Sequence, residues 1–129
     1  MLKDREAMLD SLVALKLLTN DCYGTGHDIF ELEILQSIAR QQAQLDNDHT
    51  SYVNGLIDNF QLNGPNGAHE CIVMPVLGCS IKAQAERFPE RRIPVRIMKE
   101  ITRQLLKGLA FIHGRCKVIH TDLQPSNIL

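Results

Sequence analysis

The stretch of sequence that decides the fold spans residues 118–129 and reads Val118-Ile119-His120-Thr121-Asp122-Leu123-Gln124-Pro125-Ser126-Asn127-Ile128-Leu129. It contains the pattern H-x-D-x-x-x-x-N between apolar residues. An aspartate in such a loop can orient a hydroxyl group, and an asparagine five residues later can turn its amide oxygen toward a magnesium ion. The spacing of Asp122 and Asn127 therefore suits phosphoryl transfer. The apolar flanks predict that the loop is anchored by two short strands.

Size and charge place the chain among soluble globular proteins. It has 129 residues, 44% of them hydrophobic, and a formal net charge of -1, which predicts one domain and no direct nucleic-acid partner. Basic and acidic residues alternate over residues 86–100, so we interpret this segment as a solvated face and not as a docking patch. The arginines are Arg87, Arg91, Arg92 and Arg96, and the acidic residues are Glu86, Glu90 and Glu100.

Cysteine usage and the N-terminal sequence predict an intracellular protein. The cysteines are Cys22, Cys71, Cys79 and Cys116. They form no C-x-x-C motif and have no metal-ligand spacing with the histidines, which predicts reduced and mostly buried thiols. Residues 3–10 are rich in charge, and Lys16 interrupts the apolar run that follows. This pattern predicts neither a signal peptide nor a membrane span.

The first half of the chain is predicted to contain one strand or helix end, a loop and a helix. The apolar run Leu12–Leu18 fits either a buried strand or the end of an amphipathic helix, and periodicity alone does not separate the two. Residues 20–27 contain two glycines and predict a loop. Asp28 is a candidate cap for a helix that ends near Ala39 or Gln44. Residues 41–51 are polar and predict a loop or a frayed helix end.

The second half is predicted to contain a hairpin followed by two helices. Strands over Tyr52–Leu62 and Glu70–Val76 are joined by a turn at residues 63–67, which holds Gly-Pro and Asn-Gly pairs. A short helix is expected over Ile81–Arg87, and a long one from Pro94 to Gly114. The long helix has apolar residues every three or four positions, at Met98, Ile101, Leu105, Leu109 and Ile112. Strands and helices in this order predict an α+β fold.

This order of elements resembles that of a protein kinase over nearly the whole chain. Val13-Ala14-Leu15-Lys16 is similar to the V-A-I-K strand of that family. The resemblance implies that Ala14 packs on adenine and that Lys16 reaches the α- and β-phosphates of ATP. It also implies that Glu31, on the first helix, is the anion that aims Lys16, because Glu33 points about two hundred degrees away around the helix.

The resemblance extends to the hinge between the two lobes of a kinase. Residues 71–78, Cys-Ile-Val-Met-Pro-Val-Leu-Gly, are similar to the fifth strand and the hinge. This similarity implies that Met74 is the gatekeeper beside the adenine pocket. The Pro75 carbonyl and the Leu77 amide would then bind adenine, and proline is tolerated because only its carbonyl is used.

In the terminal loop the resemblance assigns a role to each polar side chain. Asp122 is implied to be the catalytic base or hydroxyl orienter, Asn127 a magnesium ligand and His120 a residue that braces the loop. ATP and Mg²⁺ are therefore the expected cofactors. Gln124 stands where most protein kinases have a lysine that contacts the γ-phosphate. Since glutamine brings no charge, slower transfer or none is expected.

Within the kinases, the chain resembles the SR-protein kinase group and its fungal relatives. The resemblance rests on H-T-D with P-x-N in the loop, on Val76-Leu77-Gly78 and on Ile93-Pro94. It implies a protein substrate rich in arginine-serine repeats and a location in the cytoplasm, the nucleus or both. Thr121 replaces the usual arginine of the loop, which implies no regulation through a phosphorylated activation segment.

The resemblance also predicts an incomplete kinase domain. Residues 1–11 are expected to be a divergent segment, 12–77 a remnant of the N-lobe with the hinge, and 78–129 the start of the C-lobe ending in the catalytic loop. The sequence has no glycine-rich loop before Lys16 and no D-F-G motif. We therefore expect no kinase activity from the isolated chain, and an apolar face of the long helix that associates with a partner.

Two other functions stay open at this point. One is a non-catalytic pseudokinase or interaction module, which the neutral Gln124 favours. The other is a small-molecule phosphotransferase of the aminoglycoside or choline kinase type, which has a similar H-x-D-x-x-P-x-N loop. Thr121 and the protein-kinase-like hinge argue against the second alternative.

Overall fold

The computed structural model describes residues 12–18, 30–45 and 52–129. Within these residues, three strands form one antiparallel sheet in the order β1-β3-β2, and they are β1 (Val13–Leu18), β2 (Asp58–Gly64) and β3 (Gly67–Pro75). The helices in the same residues are α1 (Glu31–Gln42), α2 (Ile81–Ala85) and α3 (Val95–Gly114), with a 3₁₀ turn at Pro89–Arg91. The α+β class expected from the sequence is confirmed.

Several sequence predictions concern residues outside the described ranges. They are the divergent segment 1–11, the loop over residues 20–27 with Cys22, the cap at Asp28 and most of the polar segment 41–51. Within the described residues, α1 begins at Glu31 after Phe30, whose side chain makes no capping hydrogen bond.

The apolar run at residues 12–18 forms a strand. Strand β1 pairs with β3 from Val13 opposite Pro75 to Leu18 opposite Glu70. Leu18 is buried, whereas Leu15 is 52% exposed and Leu17 is 49% exposed. The strand alternative is therefore correct but the expected burial is not, because among the described residues Leu15 and Leu17 lie on the face of the sheet opposite the one that packs against α1.

Strands β2 and β3 form the predicted hairpin with shifted limits. Gly64 pairs with Gly67 across a two-residue connection, and Gly67 has a φ angle of 109°, which a residue without Cβ adopts at little cost. The strand predicted from Tyr52 begins only at Asp58. Residues 52–57 are irregular instead, although the Ile57 amide donates to the Val73 carbonyl at 2.9 Å.

The core of the described residues lies between the sheet and α1. Leu18, Leu32 and Ile72 form its buried centre, and Leu35, Leu56 and Met74 pack against it. Ile72 and Cys71 on β3 are fully buried. Cys79 is exposed, so the expectation of mostly buried thiols does not hold for this residue.

Helix α3 is held against the chain that precedes β2. Its Gly108 is buried, and a Cβ atom at that position would lie 2.9 Å from the Tyr52 carbonyl oxygen. The Lys107 ammonium lies over the Tyr52 ring, 5.5 Å from its centre. Tyr52 therefore rests directly on the helix backbone, and this contact requires glycine.

The charged segment around residues 86–100 is a solvated face, as expected. Arg92 pairs with Glu90 at 3.5 Å, and all the charged side chains from 86 to 92 are exposed. Arg103 donates two hydrogen bonds to Glu100, and these bonds, with one from Gln104, lower the pKa of Glu100 to about 2. No helix in the described residues is long and apolar enough to cross a membrane.

Gly108→Ala is expected to destabilise the protein. The new methyl group must displace the Tyr52 backbone, and such overpacking costs about 1–3 kcal/mol of unfolding free energy. Gly114→Ala is the matched control, because a Cβ atom there meets nothing within 4 Å. Chemical denaturation of both variants measures the difference. Equal stability of the two would contradict the close contact at Gly108.

Candidate active site

A lysine–glutamate ion pair joins the sheet to α1. Lys16 lies on β1 opposite Ile72 of β3, and its Nζ is 2.5 Å from Oε1 of Glu31. Glu31 is the first residue of α1, where the partial positive charge of the helix N-terminus favours a carboxylate. The structure thus brings together the two residues that the resemblance paired.

The residues predicted to form the hinge lie at the end of β3 and just beyond it. Met74 lies opposite Ala14 of β1, its side chain packs against the core, and its Sδ accepts a hydrogen bond from Asn54 Nδ2 at 3.6 Å. Pro75 ends β3 opposite Val13, and Leu77 beyond it is exposed. Pairing of β1 with β3 therefore places Lys16 two residue pairs away from Met74, at the start of the predicted hinge.

Asn54 is a residue of this region that sequence reasoning missed. Its side-chain Oδ1 is buried and has no hydrogen-bond partner among the described residues. The available signal was a polar residue inside the apolar run Val53–Ile57. We had interpreted that run as part of a strand, in which a lone asparagine carries no information about its surroundings.

In the terminal loop, both carboxylate oxygens of Asp122 accept hydrogen bonds from neighbouring amides. Gln124 Nε2 donates to Oδ1 at 2.9 Å, and Asn127 Nδ2 donates to Oδ2 at 2.7 Å. Asn127 Nδ2 also donates to the Asp122 carbonyl oxygen at 3.0 Å, and the Asp122 amide donates to His120 Nδ1 at 3.3 Å. The loop therefore gathers four of the polar residues singled out in the sequence.

The loop is anchored by hydrogen bonds to helices and not by strands. The Ile81 amide donates to the Ile128 carbonyl at 2.8 Å, and the Lys82 amide donates to the Pro125 carbonyl at 3.1 Å. On the other side the Val118 amide donates to the Ile112 carbonyl at 3.0 Å. The predicted short strands are wrong, because each flank bonds to a helix end and no strand of the described residues pairs with it.

An open cavity of about 980 Å³ lies between residues 75–79, α3 and the loop. Of the predicted site residues, Pro75, Leu77 and Asn127 line it, whereas the pair Lys16–Glu31 lies outside its lining. The apolar positions predicted on the long helix form much of its wall, including Ile101, Leu105, Leu109 and Ile112. Association of the apolar face of α3 with a partner stays a prediction.

Asn127 is suited to hold a hard cation through its amide oxygen. Its Nδ2 group faces the Asp122 carboxylate, an orientation fixed by charge because an amide oxygen there would repel the carboxylate. Oδ1 is thereby left as an acceptor, and oxygen atoms are the ligands that Mg²⁺ takes. The described residues contain no group of three or more acidic, histidine or cysteine side chains placed to hold a metal ion. Asn127 can therefore supply one ligand of a Mg²⁺ ion, and the described residues do not supply a complete site.

Comparison with curated proteins identifies relatives over most of the chain. Serine/threonine-protein kinase SKY1 of Saccharomyces cerevisiae is 36% identical over 118 residues, which are 91% of this chain and 16% of that protein. Protein kinase dsk1 of Schizosaccharomyces pombe is 39% identical over 118 residues, 91% of this chain and 21% of that protein. SRSF protein kinase 3 of Mus musculus is 37% identical over 117 residues, 91% of this chain and 20% of that protein. No family model matches the chain.

The chain is therefore a relative of the serine/threonine protein kinases. Among them it is similar to the SR-protein-specific kinases and their fungal relatives, as the loop and hinge motifs had indicated. It spans between about one sixth and one fifth of the length of the three proteins named above. The roles of its individual site residues remain predictions.

The Lys16–Glu31 pair is expected to add little to stability. Lys16 is 46% exposed and Glu31 is 34% exposed, and solvent-exposed ion pairs contribute about 0–1 kcal/mol. Lys16→Met and Glu31→Gln should each change the unfolding free energy in urea by less than about 1 kcal/mol. The control Leu32→Ala, one residue along in the core, should cost about 2–5 kcal/mol. A large loss in the pair variants would make the pair a structural one.

Proposed function

We propose that this chain carries part of the active centre of an ATP-dependent serine/threonine protein kinase. In this proposal residues 12–77 correspond to the N-lobe with the hinge, and residues 78–129 correspond to the start of the C-lobe with the catalytic loop. The observation that carries the proposal is that Asp122 and Asn127 contact each other in one anchored loop, downstream of a Lys16–Glu31 pair. The names of the relatives support the same reaction.

Asp122 is the group that receives the proton in the proposed reaction. A serine or threonine hydroxyl gives its proton to the Asp122 carboxylate while its oxygen attacks the γ-phosphorus of ATP. The bond from that phosphorus to the β-γ bridging oxygen breaks, so the products are a phosphoester and ADP. Both carboxylate oxygens already accept hydrogen bonds from amides, which aim Asp122 before a substrate arrives.

The other residues bind and orient the nucleotide. Lys16, held by Glu31, contacts the α- and β-phosphates. The Pro75 carbonyl and the Leu77 amide bind adenine, and Ala14 and Met74 pack beside it. Asn127 Oδ1 would be a ligand of Mg²⁺, which would neutralise phosphate charge when bound. The paired positions of Ala14 and Met74 across two strands support their place in one pocket wall.

The proposed substrate is a protein segment rich in arginine and serine. The mouse relative, SRSF protein kinase 3, is named as a kinase of SRSF proteins. Residues 118–129 contain no lysine or arginine, so the charge of Asp122 has no basic neighbour within that stretch. This stretch itself therefore places no lysine or arginine charge against an arginine-bearing peptide. The proposed location is the cytoplasm, the nucleus or both.

A non-catalytic role is the second candidate. It is favoured by Gln124, which offers a neutral donor where a lysine would bring charge to the transferring phosphate. Electrostatic stabilisation of that charge is a large part of phosphoryl-transfer catalysis. We propose that transfer is slower than in a kinase with lysine at this position, and that a pseudokinase is the limiting case.

Asp122→Asn is expected to abolish phosphate transfer. The amide cannot accept the hydroxyl proton, so the rate should fall at least about 100-fold, as for loss of a general base. The assay uses labelled ATP, an arginine-serine peptide and the protein purified at the length its cell produces. Asp58→Asn on β2 is the control and should keep the rate. Transfer that survives in Asp122→Asn would overturn the assigned role, and a wild-type protein without transfer would favour the pseudokinase.

Nucleotide binding is expected to depend on Lys16, and its magnesium dependence on Asn127. Lys16→Met removes the cation that faces the phosphates and should weaken ATP binding by about tenfold or more, the equivalent of one charge-assisted contact. Asn127→Ala should reduce the effect of Mg²⁺ on ATP affinity. Isothermal titration calorimetry with and without Mg²⁺ measures both, and Asn63→Ala near the end of β2 is the control. Unchanged affinity in Lys16→Met would count against the proposed phosphate contact.

A further inference from the structure

We infer that Gln124 is a positioning residue whose neutral side chain holds the Asp122 carboxylate in the orientation needed for proton transfer. The inference rests on the proposed kinase function and adds a role for Gln124 that does not require a contact with phosphate. Gln124 Nε2 donates to Asp122 Oδ1 at 2.9 Å, while Asn127 Nδ2 donates to Oδ2 at 2.7 Å. The carboxylate is thus held at both oxygens.

Hydrogen bonds to both carboxylate oxygens fix the orientation of Asp122, whereas a single bond would leave the carboxylate free to rotate. A carboxylate bound at a single oxygen still rotates about its terminal torsion, which is broad. With Asn127 at one oxygen and Gln124 at the other, the plane of the Asp122 carboxylate is set. A misplacement of about 1 Å at a reacting group can cost about 100-fold in rate, so orientation is a sufficient reason to keep a donor at position 124.

Backbone hydrogen bonds hold the main chain around Gln124. The Asn127 amide donates to the Gln124 carbonyl at 2.9 Å, which closes a turn around Pro125. The carbonyls of Pro125 and Ile128 accept from the first amides of α2 at 3.1 Å and 2.8 Å. Gln124 therefore reaches back to Asp122 from a fixed position, and an uncharged donor is enough to complete the contact.

A neutral donor also leaves the charge of Asp122 in place. The side-chain amide of glutamine has two hydrogens, and the one not used on Asp122 is available to a phosphate oxygen. Lysine at this position would attract both anions as a point charge, without a fixed direction. Gln124 thus offers directional hydrogen bonding where a lysine offers charge.

The first experiment tests the contact without any need for activity. Nuclear magnetic resonance of the 129-residue protein follows the side-chain amide protons of Gln124 in the wild type and in Asp122→Ala. Gln61, exposed on β2, is the reference. We expect the Gln124 signals to differ from those of Gln61 in the wild type and to move toward them in Asp122→Ala. In Asp122→Asn the Gln124 signals should lie between their positions in the wild type and in Asp122→Ala. Side-chain amide shifts of Gln124 that stay unchanged in Asp122→Ala would overturn the inference.

The second experiment separates positioning from charge. In Gln124→Glu the new carboxyl donates an O–H to Asp122 when protonated and repels it when ionised. Because repulsion between two carboxylates in contact raises the pKa of one of them, the ratio of its rate to the wild-type rate should fall about tenfold or more as the pH rises through a range above the ordinary glutamate value of about 4.3. Charged or titratable groups in and beside the loop include Asp122, His120, Lys117 and, on α2, Lys82, and the wild type shares all of them.

Ser126→Glu is the matched control, because it places the same charge in the loop at a different position. Its rate relative to the wild type should vary much less with pH than that of Gln124→Glu. Gln124→Ala should lower kcat with KM for ATP unchanged. Matching profiles for the two glutamate variants would overturn the positioning role in an active protein. A wild type that transfers no phosphate would instead refute the proposed kinase function. The catalytic role of the Gln124–Asp122 contact would then be refuted as well.

Discussion

The register of β3 between its two neighbours is the constraint on which the candidate site depends. Ile72 is fully buried in the centre of the sheet, with Lys16 opposite it on β1 and Asn59 opposite it on β2. Two positions along, Met74 lies opposite Ala14. A slip by one residue would turn every side chain of a strand to the other face. The burial of Ile72 therefore fixes on which face Lys16 meets Glu31.

The two parts of the proposed centre are held by different kinds of interaction. Lys16 and Glu31 depend on strand pairing and on the packing of α1 against the core. The Asp122 loop depends on hydrogen bonds with its own side chains and with the ends of α2 and α3. The contact of Tyr52 with Gly108 belongs to neither part, and it ties the chain before β2 to α3. Packing thus sets the position of one part and local polar contacts set the other.

Much of this arrangement could be predicted from the sequence where a short-range pattern controls it. The apolar spacing before Gly114 and the turn at Gly64–Gly67 gave the right elements, because helix period and turn chemistry are local. The segment before Asp58 was assigned to a strand, but Val53 and Tyr52 are engaged with α1 and α3. The contacts of Gln124 with Asp122 depend on side-chain torsions, which spacing does not encode.

The anchoring of the loop on α2 has a consequence for anion recognition. A helix N-terminus ordinarily offers free amides to a negatively charged ligand. Here the amides of Ile81 and Lys82 donate to loop carbonyls, and that of Ala83 donates to Ser80 Oγ. The amides at the start of α2 are therefore already bonded to acceptors of the same chain. Recognition of a polyanion by this region must come from side chains, whose charge and reach can change by single substitutions while the backbone stays as it is.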